Sequence, residues 1–378
     1  AMRKANKYAG PCTPKEKAMI KAMTLRYTRE APEDRRSLDS AYMEAMKIVH
    51  QQFPEDVDIT CMYAEAMMDM HPWDLWGKDG KPRPWTPDIM KVVDQAIDMD
   101  SHHPGGHHYY IHVMEASPFP ERALASAKML DNGLVARAGH LIHMPSHIYI
   151  NTGDYHLGSL ANINALKQDS TYVTQCHAQG AYPLAYYPHN YHFLAATATL
   201  EGNSVWAIDA ANKMARHVNH KGMLIPDLAT LQHYYTIPYF VKVKFGKWQD
   251  ILASAPVDTS LIYPAAIRHY ARGMAYLGLK DIEHAKLELI ALQEIAAMDT
   301  LKKLTIWGIN SLYTVTDIAQ KVLEGELLAA MGKTEESIMM LKEAVTLEDL
   351  LNYNEPPDWF FSVRHHLGSV LLNAGKPE

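Results

Sequence analysis

The sequence predicts an all-α fold, a solenoid of about eight consecutive helix pairs. Three observations carry this. Apolar residues recur at three- and four-residue spacing almost throughout, with no sustained two-residue alternation. A Gly followed by a polar residue, with a small or apolar residue about five positions on, recurs in GDYHLGS from 153, GNSVWAI from 202 and GKTEESI from 332. A pair of histidines four apart also recurs: His108 and His112 are followed 35 residues later by His143 and His147.

That 35-residue offset is close to the ~34-residue period of tetratricopeptide repeats, helix–turn–helix units that stack into a superhelix. The predicted solenoid is therefore tetratricopeptide-like. A chain of 378 residues is long for one compact core but natural for an array that grows by adding units, so 1–378 reads as a single α-solenoid.

Residues 13–100 hold the N-terminal helix pairs, 14–29 with 36–52 and 56–70 with 87–100. Pro54 separates the two pairs, and HPWDLWGKDGKPRPW between the last two helices is a loop packed by its tryptophans. Residues 103–217 are the His-rich repeats. Their helices are expected at 105–116, 120–131, 138–151, 154–168, 189–201 and 204–217, with a kink at Pro145. The aromatic, Gly- and Pro-containing stretch 170–188 reads as a long loop placed to cover a groove. Residues 228–378 hold the C-terminal repeats: 228–244 with 247–254, 264–277 with 281–297, 311–331 with 334–349, and a last helix over 359–374.

Composition narrows the function classes. Hydrophobic residues make up 48% and charged residues 21%, as in soluble globular chains. Net charge is −7 and no long basic run occurs, which argues against a nucleic-acid partner. No apolar run reaches the ~18 residues of a membrane span. Cys12, Cys61 and Cys176 are too scattered for a disulfide framework or a cysteine-based zinc site. The basic start AMRKANKYAG lacks an apolar leader core, and Ala1 precedes Met2. The compartment thus stays open, cytoplasmic or, with a leader removed, periplasmic.

Histidine is the outlier, with 21 residues against 20 glycines, concentrated between 102 and 192. With Pro118, Gly153 and Gly202 aligned as turn positions, three histidine layers appear. Ten residues before the turn stand His108, His143 and His192; six before, His112, His147 and Ala196; thirteen before, Gly105, His140 and His189. These offsets share one helical face. Seven of the nine positions are histidine, where 21 in 378 would place fewer than one. In such solenoids the first helices line the concave groove, so seven imidazoles are expected to meet there.

Neutral imidazole is the commonest transition-metal ligand, and HxxxH on a helix can present two rings to one ion. An all-nitrogen set favours copper, then zinc, over magnesium, calcium or a carboxylate-bridged di-iron centre, and seven rings suffice for one or two ions. Glu115, one turn beyond His112, is the one nearby carboxylate, either a ligand, a group that orients an imidazole, or a catalytic general base. Tyr109, Tyr110, Tyr149, Tyr187 and Tyr191 are candidate walls. His107 points off this face and reads as structural, and His103 as shaping the helix start. Any single histidine here is more simply a satisfied packing residue; it is the aligned set that argues for metal. Methionines at helical spacing, such as Met19 with Met23, read as core. Cys176 reads as an inert thiol.

The string HPGxxHxYIHxxEAS from 103, PERAL from 120, AGHLxHMPSHIYxxxGDY from 138, PHNYHFL from 188 and FGKW from 245 resembles a bacterial family of tetratricopeptide-repeat proteins. Tyr353-Asn354-Glu355-Pro356-Pro357 with Trp359, Arg364 and Leu367-Gly368 adds to the resemblance. It implies a helical-repeat fold and no particular activity. Members typically carry a further repeat ahead of the point where this chain starts, so the resemblance implies a truncated or divergent form without the groove residues of that repeat.

The leading functional reading is a metalloprotein whose groove, formed by 105–116, 138–151 and 189–201, holds one or two copper ions and oxidises a small molecule with dioxygen. Zinc in the same place implies hydrolysis of a small-molecule substrate. A metal-free scaffold whose groove holds a peptide or protein partner is the reading from a different class.

Overall fold

A computed structural model describes residues 1–30, 32–180 and 182–376. It is an all-α, helical-repeat protein. The chain divides into two compact units, Ala1–Asp154 and Tyr155–Glu378, where the sequence suggests one continuous array. The boundary follows Gly153, whose φ of +87° ends a helix in the left-handed region.

The first unit opens with α1 (Met2–Tyr8), which has no buried residue and no periodic signal strong enough to predict it. The next helix, α2 (Pro14–Arg26), starts at a reciprocal capping box between Thr13 and Glu16. It packs on α3 (Arg36–Gln52), and α3 on α4 (Val57–Asp69), which Asp56 caps through the Ile59 amide. Tyr42, Met46, Val49 and Ile59 form the core of these pairs. The loop that follows is held by its tryptophans. Trp85 Nε1 donates to the Asp74 carbonyl at 2.7 Å, and its ring stacks on His71. Trp76 Nε1 donates to the Val113 carbonyl at 2.7 Å, pinning the end of a later helix.

Then come α5 (Thr86–Met99) and α6 (Pro104–Met114). Gly106 lets α6 approach α5 closely, since a Cβ there would lie 3.1 Å from Ile97 Cγ1. The expected helix over 120–131 is broken into a 3-10 turn (Pro120–Ala123), α7 (Leu124–Met129) and a π-turn (Leu130–Leu134). Gly133, at φ +85°, leaves the helical region there. The helix over 138–151 divides at the predicted place, into α8 (Gly139–His143) and α9 (Pro145–Thr152). Ile111, Met114, Met144 and Ile148 turn away from the histidines into one buried cluster with Ile89 and Val93.

The second unit opens with α10 (Tyr155–Cys176), followed by a π-turn (Tyr182–Tyr186) and α11 (Tyr187–Leu200). This corrects the expected 170–188 loop, because residues 170–176 continue the helix. No glycine or proline interrupts them, and Thr171 satisfies its hydroxyl on the Lys167 carbonyl four residues back. After α12 (Ser204–His217), α13 (Thr230–Lys244) and α14 (Trp248–Leu252) come α15 (Ile262–Gly278) and α16 (Ile282–Ala296). The unit closes with α17 (Leu312–Ala330), α18 (Thr334–Leu350) and α19 (Arg364–Asn373). Successive helices pack on each other, and α11, α13, α15, α17 and α19 also pack in series, the order of stacked helix pairs. A two-residue ladder, Thr305–Ile306 with Asn310–Ser311, precedes α17 and is too short for any alternation to show. Among the described residues no helix is long and apolar enough to cross a membrane.

Candidate metal centre

Helix α6 has two faces of different chemistry. Ile111 and Met114 enter the core, while His108, His112 and the C-terminal Glu115 follow one another at intervals of four and three on the other side. His140 comes from α8, and the broken helix then carries His143 and His147 across the Met144–Pro145 junction. All six lie in the first unit.

Ring nitrogens meet at short range. His108 Nε2 lies 3.1 Å from His112 Nε2 and 3.2 Å from His140 Nε2, and the three donor atoms are all within 4.8 Å of one another. His143 Nε2 lies 2.8 Å from His147 Nε2. Glu115 stands between the sets. Its Oε1 is 3.1 Å from His112 Nδ1 and its Oε2 2.6 Å from His147 Nδ1. Asn151 Nδ2 donates to the carbonyls of both Glu115 and His147, which ties the end of α6 to α9. Ser146 Oγ, a residue the spacing did not single out, lies 3.2 Å from His143 Nδ1 and donates to the His143 carbonyl.

The electrostatics favour the neutral form of His108 and His140. Burial holds His108 well below the usual imidazole range, with His112, His140 and His147 adding to it. Burial, with His112 and His147, lowers His140 to about 3. Burial pushes the Glu115 carboxyl up, but the adjacent His112 and His147 rings outweigh it and hold it well below the carboxylate range. Both oxygens engage ring nitrogens, which favours the orienting role among the three that the sequence leaves open.

The tautomers expose a tension. An ionised Glu115 accepts the Nδ1 proton of His112, so His112 Nε2 carries a lone pair. His108 Nε2 has one position for a proton and two imidazole nitrogens against it. No proton arrangement of neutral rings makes both contacts good hydrogen bonds. A cation among the three nitrogens resolves this. Tetrahedral nitrogen ligands at ~2.0–2.1 Å from zinc stand ~3.3 Å apart, close to the two shorter separations here. The 143/147 pair, by contrast, is satisfied by one proton shared between its Nε2 atoms.

His189 and His192 belong to α11 of the second unit. The His189 ring is edge-on to Phe193 at 4.9 Å. His192 packs among His233, Tyr234 and Phe360, and burial, with His233 and His189, holds it well below its usual range. His233, with no local signal in the sequence, binds the Tyr263 hydroxyl through Nδ1 at 2.9 Å. Of the tyrosines expected as walls, Tyr109 lies beside His108 and Tyr110 packs against the core. Tyr149 is a correction: it is buried and donates to Asp131, because it stands on the opposite side of α9 from His147. Tyr187 and Tyr191 pair their hydroxyls and surround His217 within the second unit. His107 is structural, held between Ser126 and the Ser101 carbonyl. His103 stands at the start of α6, between Cys61 Sγ and Asp58.

No family model and no curated protein sequence matches the chain. Among solved structures, a human IFIT1 dimer with m7Gppp-AAAA aligns with a TM-score of 0.38 at 11% identity, covering 96% of this chain and 78% of that one.

Proposed function

We propose that the protein is a metal-binding helical-repeat protein whose first unit holds a transition-metal ion on the Nε2 atoms of His108, His112 and His140, with His143 and His147 available for a second. The convergence of three imidazole nitrogens that neutral tautomers cannot mutually satisfy carries this reading. Nitrogen donors without thiolate favour copper, with zinc next. The three rings are partly exposed, whereas Glu115, His143 and His147 are buried. Three protein donors leave a fourth position to a non-protein ligand, as in a catalytic rather than a closed structural site. Bound copper would supply oxygen-dependent oxidation of a small molecule; zinc would activate water for hydrolysis. The chain's own part is to hold His108 and His140 neutral and to fix the His112 tautomer through Glu115.

The test is elemental analysis of protein purified without a polyhistidine tag or nickel column, after loading with copper or zinc and gel filtration. About one ion or more per chain should be retained. His108→Ala with His112→Ala should abolish retention while helicity persists. Clearly substoichiometric metal after both loadings overturns the reading and favours a groove that holds a peptide.

A further inference from the structure

A single buried carboxylate is shared between two imidazole sets. Glu115 Oε1 meets His112, a member of the set His108, His112 and His140. Oε2 meets His147, a member of the pair whose Nε2 atoms lie 2.8 Å apart. We propose that Glu115 is a positioning residue that ties a second ion position, at His143 and His147, to the first, so that the two are occupied as a linked dinuclear centre. This rests on the metal reading of the first position.

The linkage follows from what each contact does. A carboxylate on Nδ1 fixes a ring's tautomer and rotation, and turns the Nε2 lone pair outward toward a metal. Here one carboxylate does this for a ring of each set. It cannot satisfy one ring independently of the other, because its side chain is only 6% exposed and has no room in water. Its backbone is fixed as well. The Glu115 amide bonds the Ile111 carbonyl, and Asn151 bridges the carbonyls of Glu115 and His147. Ser146 gives the other ring of the pair an equivalent polar neighbour at Nδ1. The centroids of the His112 and His147 rings are 5.5 Å apart, so ions on their Nε2 sides would be neighbours. A ring drawn toward its ion shifts the carboxylate, and through it the ring of the other set. The second position has two protein nitrogens in this unit.

The full-length chain would be titrated with Cu²⁺ and followed by elemental analysis and electron paramagnetic resonance. In the unaltered protein more than one equivalent should be retained. The integrated signal should fall below the bound copper as the second equivalent enters, because neighbouring ions couple. Glu115→Gln can accept from only one of the two rings and presents an amide donor to the other. It should weaken the first position about 10–100-fold, lose the second equivalent, and give a signal that tracks bound copper. His143→Ala with His147→Ala should lose the second equivalent and keep the first. If Glu115→Gln fails to fold, Glu115→Asp, which keeps the charge but shortens the reach, should lose the second equivalent. Two equivalents with an unchanged signal in the folded Glu115 variant overturn the linkage and leave the metal reading intact. No copper in the unaltered protein overturns the metal reading itself.

Discussion

Asp358 is a buried acid of the second unit. Burial raises its carboxyl to about 7, against the amide donors of Asn310 and Asn354 at 2.7 Å each, which favour the ionised form. The native state therefore holds a proton that the unfolded chain has released above about pH 4. The sign follows: this group's contribution to stability is fully present below about pH 4 and is lost as pH rises through about 7. Urea denaturation should show stability declining between about pH 4 and pH 7, and Asp358→Asn should flatten that slope. An unchanged slope in the variant would place the titration elsewhere. At this same scale the candidate site was partly legible. The HxxxH spacing and the excess of histidine marked His108, His112, His143 and His147, because ligand and spacer share a helix face. The position of Glu115 between two rings was not legible, since it depends on how α9 is tied to α6 through Asn151. Tyr149 was misplaced because a tyrosine near a histidine in sequence can stand on the opposite helix face.

Among the elements, turns were the readable part. Thr13, Asp56, Asn203, Asp281 and Ser311 each cap a helix through a side-chain oxygen. The recurrent turn glycines also follow the expectation. Gly153, Gly202 and Gly332 have φ of +87°, +82° and +76°, and nothing lies within 4 Å of a Cβ built on them. Their constraint is the backbone alone. Gly202→Ala should cost roughly 1–2 kcal/mol in equilibrium denaturation. A neutral substitution would mean that the turn relaxes. The hairpin at 305–311 stayed hidden for a related reason. Its turn places Trp307 and Gly308 at φ +55° and +73°, held by the Trp307 amide donating to Thr230 Oγ1, a partner 77 residues away. Residues 170–176 were read as loop as part of an aromatic stretch with Gly180, Pro183 and Pro188, yet these breakers lie beyond Cys176, and backbone hydrogen bonds and a Thr171 contact keep 170–176 helical.

For the whole molecule, the division at Asp154 would set where a bound metal is felt. A ligand that binds the native state stabilises it, by about 2.7 kcal/mol at a hundredfold excess over Kd. Hydrogen exchange should therefore show copper-dependent protection in Pro104–Met114 and across Gly139–Thr152, with less change in α15–α18. Uniform protection of both units would mean that they open together. The helical class and the pairing of most helices were legible at this scale because each pair carries its own periodicity, whereas α1 and the breaks within 120–131 were not. The division was not, since no run of polar or flexible residues marks it.

The six side chains at the centre all fall between His108 and His147, a stretch of forty residues in the earlier half of the chain. During synthesis every one of these donors has been added before the first residue of Tyr155–Glu378. Loading with copper would then not have to await termination of translation. Nascent chains stalled a few dozen residues past Asp154 would already carry the complete set of nitrogens.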